Sequence, residues 1–191
     1  MEALNGDVTN FKERHEEAVA KRLLDKLQIK TGSLRLGTPP EPDVLLGLGG
    51  QNIGVEVATA YYSQDEARLE WQHARGKKEC ASSSIWEPDR KICESIQREI
   101  NDKCKKQYQG GDEVWLCIDA DAPLGDQQSM DACIDHLCTP KGHNFNRIYL
   151  LHHAPWVARG GKTEQGGDKA VELYPTKGRW SASPGLTLGF L

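Results

Sequence analysis

The sequence predicts an α/β fold: a three-layer α/β/α domain in which helices cover both faces of a central mixed sheet. Three observations predict it. An amphipathic N-terminal helix is followed by three closely spaced strand-like segments. The later strand-like segments then alternate with helices, the pattern of parallel pairing. Finally, 191 residues at 38% hydrophobic content suffice for one ordinary core and would be crowded as two. One domain over residues 1–191 is expected, with a polar insertion or lid at about 63–88.

The first helix is expected over residues 10–28, with Thr9 or Asn10 as its cap. Val19, Ala20, Leu23 and Leu27 fall on one face of it, and at ~100° per residue Glu16 lies only about 20° from Leu23. An acid therefore points along the buried stripe, whereas Glu17 is rotated away. "GSLRLG" alternates as a short strand, and "DVLLGL" and "IGVEVATAYY" read as two more strands about a "GGQN" turn. The second Glu-Pro-Asp, Glu87 to Asp89, opens a helix: proline suits its first position, Asp its first turn, and lysines crowd its end near Tyr108. "EVWLCIDAD" is a buried strand, a helix is expected over 127–137, and "FNRIYLLHHA" is a further buried strand. "KAVELYP" closes the sheet as an edge.

No apolar leader opens the chain and no run of ~18 apolar residues occurs, so a cytoplasmic protein without a membrane partner is the expectation. The six cysteines accordingly read as reduced core thiols, Cys93, Cys104 and Cys117 falling on apolar faces. Cys133, His136 and Cys138, with His143 nearby, form a weak zinc candidate that lacks a paired CxxC. A net charge of −4 excludes a broadly basic nucleic-acid coat. A nucleic-acid path would need a local patch, for which Arg75, Lys77, Lys78, Arg90, Lys91, Arg98, Lys103, Lys105 and Lys106 are candidates. The Gly-rich "GLGGQNIG" leads into a strand, not a helix, so it is no dinucleotide loop. No GxSxG nucleophile elbow occurs. Asp119 and Asp121, and the His152–His153 pair, read as strand-end and structural residues.

Chemistry concentrates on the hairpin. Asp43 and Glu56 stand thirteen residues apart on either side of its turn. A turn near Gly49–Gly50 brings them close to opposite each other. Carboxylates so placed can bind Mg2+, which activates water for attack on a phosphodiester. Glu56 shares its strand face with Gly54 and Ala58, small neighbours that leave room.

These residues, "EPDVLL…GVEVA", resemble the core of the PD-(D/E)XK nuclease superfamily, the restriction-endonuclease-like fold. The resemblance runs from the helix with Glu16 to the strand ending near His153. It implies that Asp43, Glu56 and the Val57 carbonyl hold Mg2+, with Mn2+ an alternative, and that Glu16 matches the helical acid some members add. The family has lysine two residues after the Glu; here stands Ala58. Some members are similar in taking the cation from the next helix. With Ile100 at zero, Ile92, Cys93, Ile96 and Cys104 fill an arc from about −80° to +40°, and Lys103 falls near −60° inside it. Lys105 and Lys106 fall outside, while Gln107 and Gln97 are second-choice polar contributors.

The expected function is a Mg2+-dependent endonuclease acting on nucleic acid, DNA first, with Asp43, Glu56 and Lys103 as catalytic residues. The alternative is a catalytically inactive module of the same fold that binds nucleic acid or protein, kept open by Ala58. A homodimer is compatible with either.

Overall fold

The computed structural model describes residues 3–62, 88–120, 127–153, 156–159, 162–165 and 168–175. The expected lid at 63–88, with Arg75, Lys77 and Lys78, lies outside these apart from Pro88, as does Asp121. The chain is a mixed α/β structure. Its elements are α1 (Ala3–Lys26), β1 (Ser33–Leu36), β2 (Val44–Leu48), β3 (Gln51–Ala60), α2 (Pro88–Lys103), β4 (Glu113–Ala120), α3 (Gln127–His136), β5 (Arg147–His153), β6 (Trp156–Arg159), β7 (Lys162–Gln165) and β8 (Asp168–Tyr174).

Six strands form an open mixed sheet in the order β1-β2-β3-β4-β5-β8, and β6 and β7 pair separately. The first three strands are an antiparallel meander. β3, β4 and β5 run parallel, and β8 returns antiparallel along β5 as the expected edge. Side chains alternate between two cores, because successive strand residues point to opposite faces. Val55, Val57, Trp115, Cys117, Tyr149 and Leu151 meet Val19, Ala20, Leu23 and Leu24 of α1. Ala58, Leu116, Ile118, Ile148 and Leu150 meet Ile92, Ile96 and Ile100 of α2 and Met130, Cys133 and Ile134 of α3. Described helices thus lie on both faces of the sheet.

Several boundaries differ from expectation. α1 begins at Ala3, so Thr9 and Asn10 lie inside it rather than at its start; polar residues do not stop a helix whose backbone bonds continue. It ends where Gln28 turns left-handed at φ 57°, with the Ile29 amide donating to the Leu24 carbonyl. α2 starts at Pro88 as the first-position proline predicts, but stops at Lys103 rather than near Tyr108. Beyond Lys103 the chain tightens, the Lys106 amide donating to Lys103 instead of to the residue four back. The wheel therefore fails past this point, and Gln107 is exposed.

Cysteine chemistry also differs. α2 and α3 pack side by side with the Cα atoms of Cys93 and Cys133 5.6 Å apart, and the two are joined in a disulfide. Cys93 is thus no reduced thiol, whereas Cys104 and Cys117 are free and buried as expected.

Candidate functional site

The β2–β3 turn consists of Gly49 and Gly50, both at positive φ, 57° and 87°. A two-residue turn of this hand favours glycine because a Cβ would clash with the backbone. It sets a register in which Val44 lies opposite Val55 and Leu48 opposite Gln51. Continued by one residue, that register brings Asp43 beside Glu56. The Asp43 carboxylate Oδ2 accepts from the Val57 amide at 2.9 Å, which ties the start of β2 directly onto β3.

The rest of the first Glu-Pro-Asp holds Asp43 in place. Glu41 receives both guanidinium nitrogens of Arg35 at 2.8 and 3.0 Å and the Thr38 amide at 3.0 Å. Pro42 lies on Gly54: a Cβ at residue 54 would stand 2.5 Å from the proline ring. The space at Gly54, expected to serve a metal or phosphate, is taken by Pro42. Each residue of the tripeptide thus has a separate task, and only Asp43 enters the cluster.

Glu56 is buried at 5% exposure in the middle of β3. It shares its face with Ala58, which packs into the α2 core, so α2 is the element above it. From there the Lys103 ammonium donates to Glu56 Oε1 at 2.5 Å and to the Val57 carbonyl at 3.1 Å. The wheel's choice among the α2 lysines matches this placement. Lys105 pairs instead with Asp102 at the surface.

From α1, Glu16 is buried at 7% exposure. Lys12, one turn before it, bonds Glu16 Oε1 at 2.6 Å and reaches Asp43 Oδ1 at 3.8 Å. Nearby on the same helix His15 bonds the Thr59 hydroxyl at 3.0 Å, and Arg22 pairs with Asp119 at 2.6 Å. The helix is fastened to the ends of β3 and β4 by polar contacts as well as by its apolar stripe.

Glu16 and Glu56 each feel the charge of Asp43. Burial first, then the neighbouring Asp43, lift the Glu16 carboxyl from its ordinary 4.5 to about 7 against the pull of Lys12. Burial and Asp43 likewise raise Glu56, against the pull of Lys103. Desolvation and like charge both penalise the ionised form, and each added acid increases the demand for a positive charge between them. Lys12 and Lys103 meet that demand in this arrangement. No three of the described His, Cys, Asp and Glu side chains are grouped tightly enough to chelate a metal by themselves.

Tyr108 carries no site signal in the sequence, where it is the last residue of the helix expected from Pro88. Its buried hydroxyl lies beside Glu56, whose charge, after burial, keeps the phenol well above its ordinary range. No helical or strand periodicity marks such a loop residue.

The other candidates lie elsewhere. Cys133 is committed to Cys93, which takes it from the zinc trio and leaves His136 and Cys138 exposed. Gln97 bonds the backbone of Cys138, pinning α2 to the end of α3. Arg90 and Arg98 bond Glu94 and Ser95 on their own helix, the pattern of a solvated, paired helix face. His152 and Asp119 are buried in the sheet at 1% exposure. Among the described residues, no helix is long and apolar enough to cross a membrane. No family model, no curated protein and no solved structure matches this chain.

Proposed function

We propose that the chain is a divalent-metal-dependent nuclease of the PD-(D/E)XK, restriction-endonuclease-like kind, hydrolysing phosphodiester bonds in nucleic acid, DNA first. The observation that carries the reading is the meeting of Lys103 with Glu56 and the Val57 carbonyl, on the hairpin that also presents Asp43. A cation from the following helix stands where Ala58 cannot supply one. The passage from an antiparallel meander into parallel strands, with helices on both faces, supports the fold.

The donor set suits a hard cation. Carboxylates and a carbonyl offer only oxygen, the ligand type of Mg2+ and Mn2+. Burial first, and Asp43 beside them, raise Glu16 and Glu56, so each acid gains from a positive charge held close. Asp43, Glu56 and the Val57 carbonyl would hold the ion, with Glu16 behind them. Once bound, it would polarise the phosphate and lower the pKa of its water.

The protein's own part is positioning and charge. Lys103 spends its ammonium on Glu56 and Val57 while the acids need balancing. With that demand met otherwise, its N–H groups can turn to the attacking water or a phosphate oxygen and stabilise charge developing there. α2 holds the lysine rigidly, because Ile92, Ile96 and Ile100 are wholly buried beneath it. Ala58 lets α2 sit close over β3.

A second reading, a module of this fold that binds without cutting, draws on one observation: Lys12 and Lys103 already neutralise the acids. Cleavage assays separate the two. Mixed DNA and RNA are incubated with Mg2+ or Mn2+ and the wild type, Asp43→Ala, Glu56→Ala or Lys103→Ala. The nuclease reading expects metal-dependent cleavage by the wild type and a loss of about 100-fold or more in each variant. A wild type that binds nucleic acid without cutting it, or variants that cut equally well, would overturn it.

A further inference from the structure

Tyr108 lies five residues beyond Lys103, in the segment that leaves α2 for β4. Its ring packs on Phe145 with centroids 5.4 Å apart, and the Asn144 side-chain amide reaches its carbonyl at 3.4 Å. These contacts fix the ring against the α2 core. Packing alone would be served as well by phenylalanine.

The hydroxyl is what packing leaves unexplained. It is buried and closes no hydrogen bond of ordinary geometry. A buried donor left open is costly, so a hydroxyl kept in that position calls for a partner. The Glu56 carboxylate is the adjoining acceptor, near enough that each group influences the other's ionisation. Lys103 occupies Glu56 Oε1 from α2 itself, and a carboxylate has capacity for a further donor.

We infer that Tyr108 is a positioning residue: its O–H donates to the Glu56 carboxylate and holds it toward Asp43 for an oxygen-liganded divalent cation. This rests on the metal-site reading above. The hydroxyl supports the carboxylate from behind, as outer partners of metal ligands do, and it becomes the holding contact once Lys103 turns to substrate. It touches neither the reacting atoms nor the ion.

Mn2+ binding tests this without any cleavage, by the electron paramagnetic resonance signal of free Mn2+ in titrations of the metal-free protein. Wild type, Tyr108→Phe and Glu56→Gln are compared, with thermal melting of each as a check on the fold. Tyr108→Phe keeps the ring on Phe145 and removes one oxygen. The expected result is an unchanged melting temperature and Mn2+ affinity weakened about tenfold, while Glu56→Gln loses binding. If Glu56→Gln loses Mn2+ but Tyr108→Phe binds like the wild type, this inference falls and the metal site stands. A wild type that takes up no Mn2+ overturns both.

Discussion

Asp43 presses on the ionisation of both buried acids, and Glu16 shows the consequence most clearly. The folded protein holds the Glu16 proton up to about pH 7, while the unfolded chain releases it near 4.5. Between those values the folded state binds more protons, so stability falls as pH rises through that window. Asp43→Asn keeps a carbonyl acceptor for the Val57 amide and removes one of the charges pushing on Glu16. Thermal melts of the metal-free proteins from pH 5 to pH 8 should show a decline for the wild type and a shallower one for Asp43→Asn. Equal slopes would mean that Asp43 does not drive the shift. Much at this scale was legible in the sequence: Asp43 and Glu56 follow from the hairpin, and Glu16 and Lys103 from helical wheels. Those are local periodicities. The occupation of the Gly54 space by Pro42 was not legible, because Pro42 precedes the paired residues of β2 and its place is set by how the chain enters the strand.

Among the elements, α2 connects the core to the chemistry. Its apolar face is locked into the sheet, and its last residue, Lys103, is the partner of a buried acid. Lys103→Met would leave Glu56 buried without that counter-charge. Removing one partner of a buried pair costs about 3 kcal/mol. Here the cost depends on pH in a definite direction. Glu56 already lies above its ordinary value, and losing the pull of Lys103 raises it further. Protonation of the acid removes the unpaired charge, so the loss should be smaller at pH 5 than at pH 8. Urea unfolding at the two values measures this, and the same loss at both would deny the pairing its role. The ends of α2 show what sequence reading can and cannot place. Pro88 announces the start through its fixed φ and missing N–H. The stop at Lys103 carries no comparable signal, since the lysines and glutamine that follow are all competent helix formers. The β6–β7 hairpin was missed as well, although "WVARGGKTEQ" places Gly-Gly between two short strand-like runs.

Across the whole molecule, the site draws on α1, the β2–β3 hairpin and α2, segments separated by long stretches of chain. It exists only in the folded state, so a cation that binds there must stabilise that state by mass action. At 100 times its dissociation constant, Mg2+ should add about 2.7 kcal/mol to the unfolding free energy. Denaturation with and without Mg2+ checks this; the gain should vanish in Glu56→Gln, and a gain that persists would place the ion elsewhere. By itself the sequence determined the α/β class, most of the elements, and the faces of their own elements on which Glu16, Glu56 and Lys103 lie. Those properties rest on periods of two and 3.6 residues and on turn chemistry, which act over a few neighbours. Only the tertiary structure decided that Lys12 and Lys103 balance the acids, that Cys93 meets Cys133, and that Tyr108 comes to Glu56. Each depends on how elements distant in the chain pack against one another, and no local pattern carries that distance.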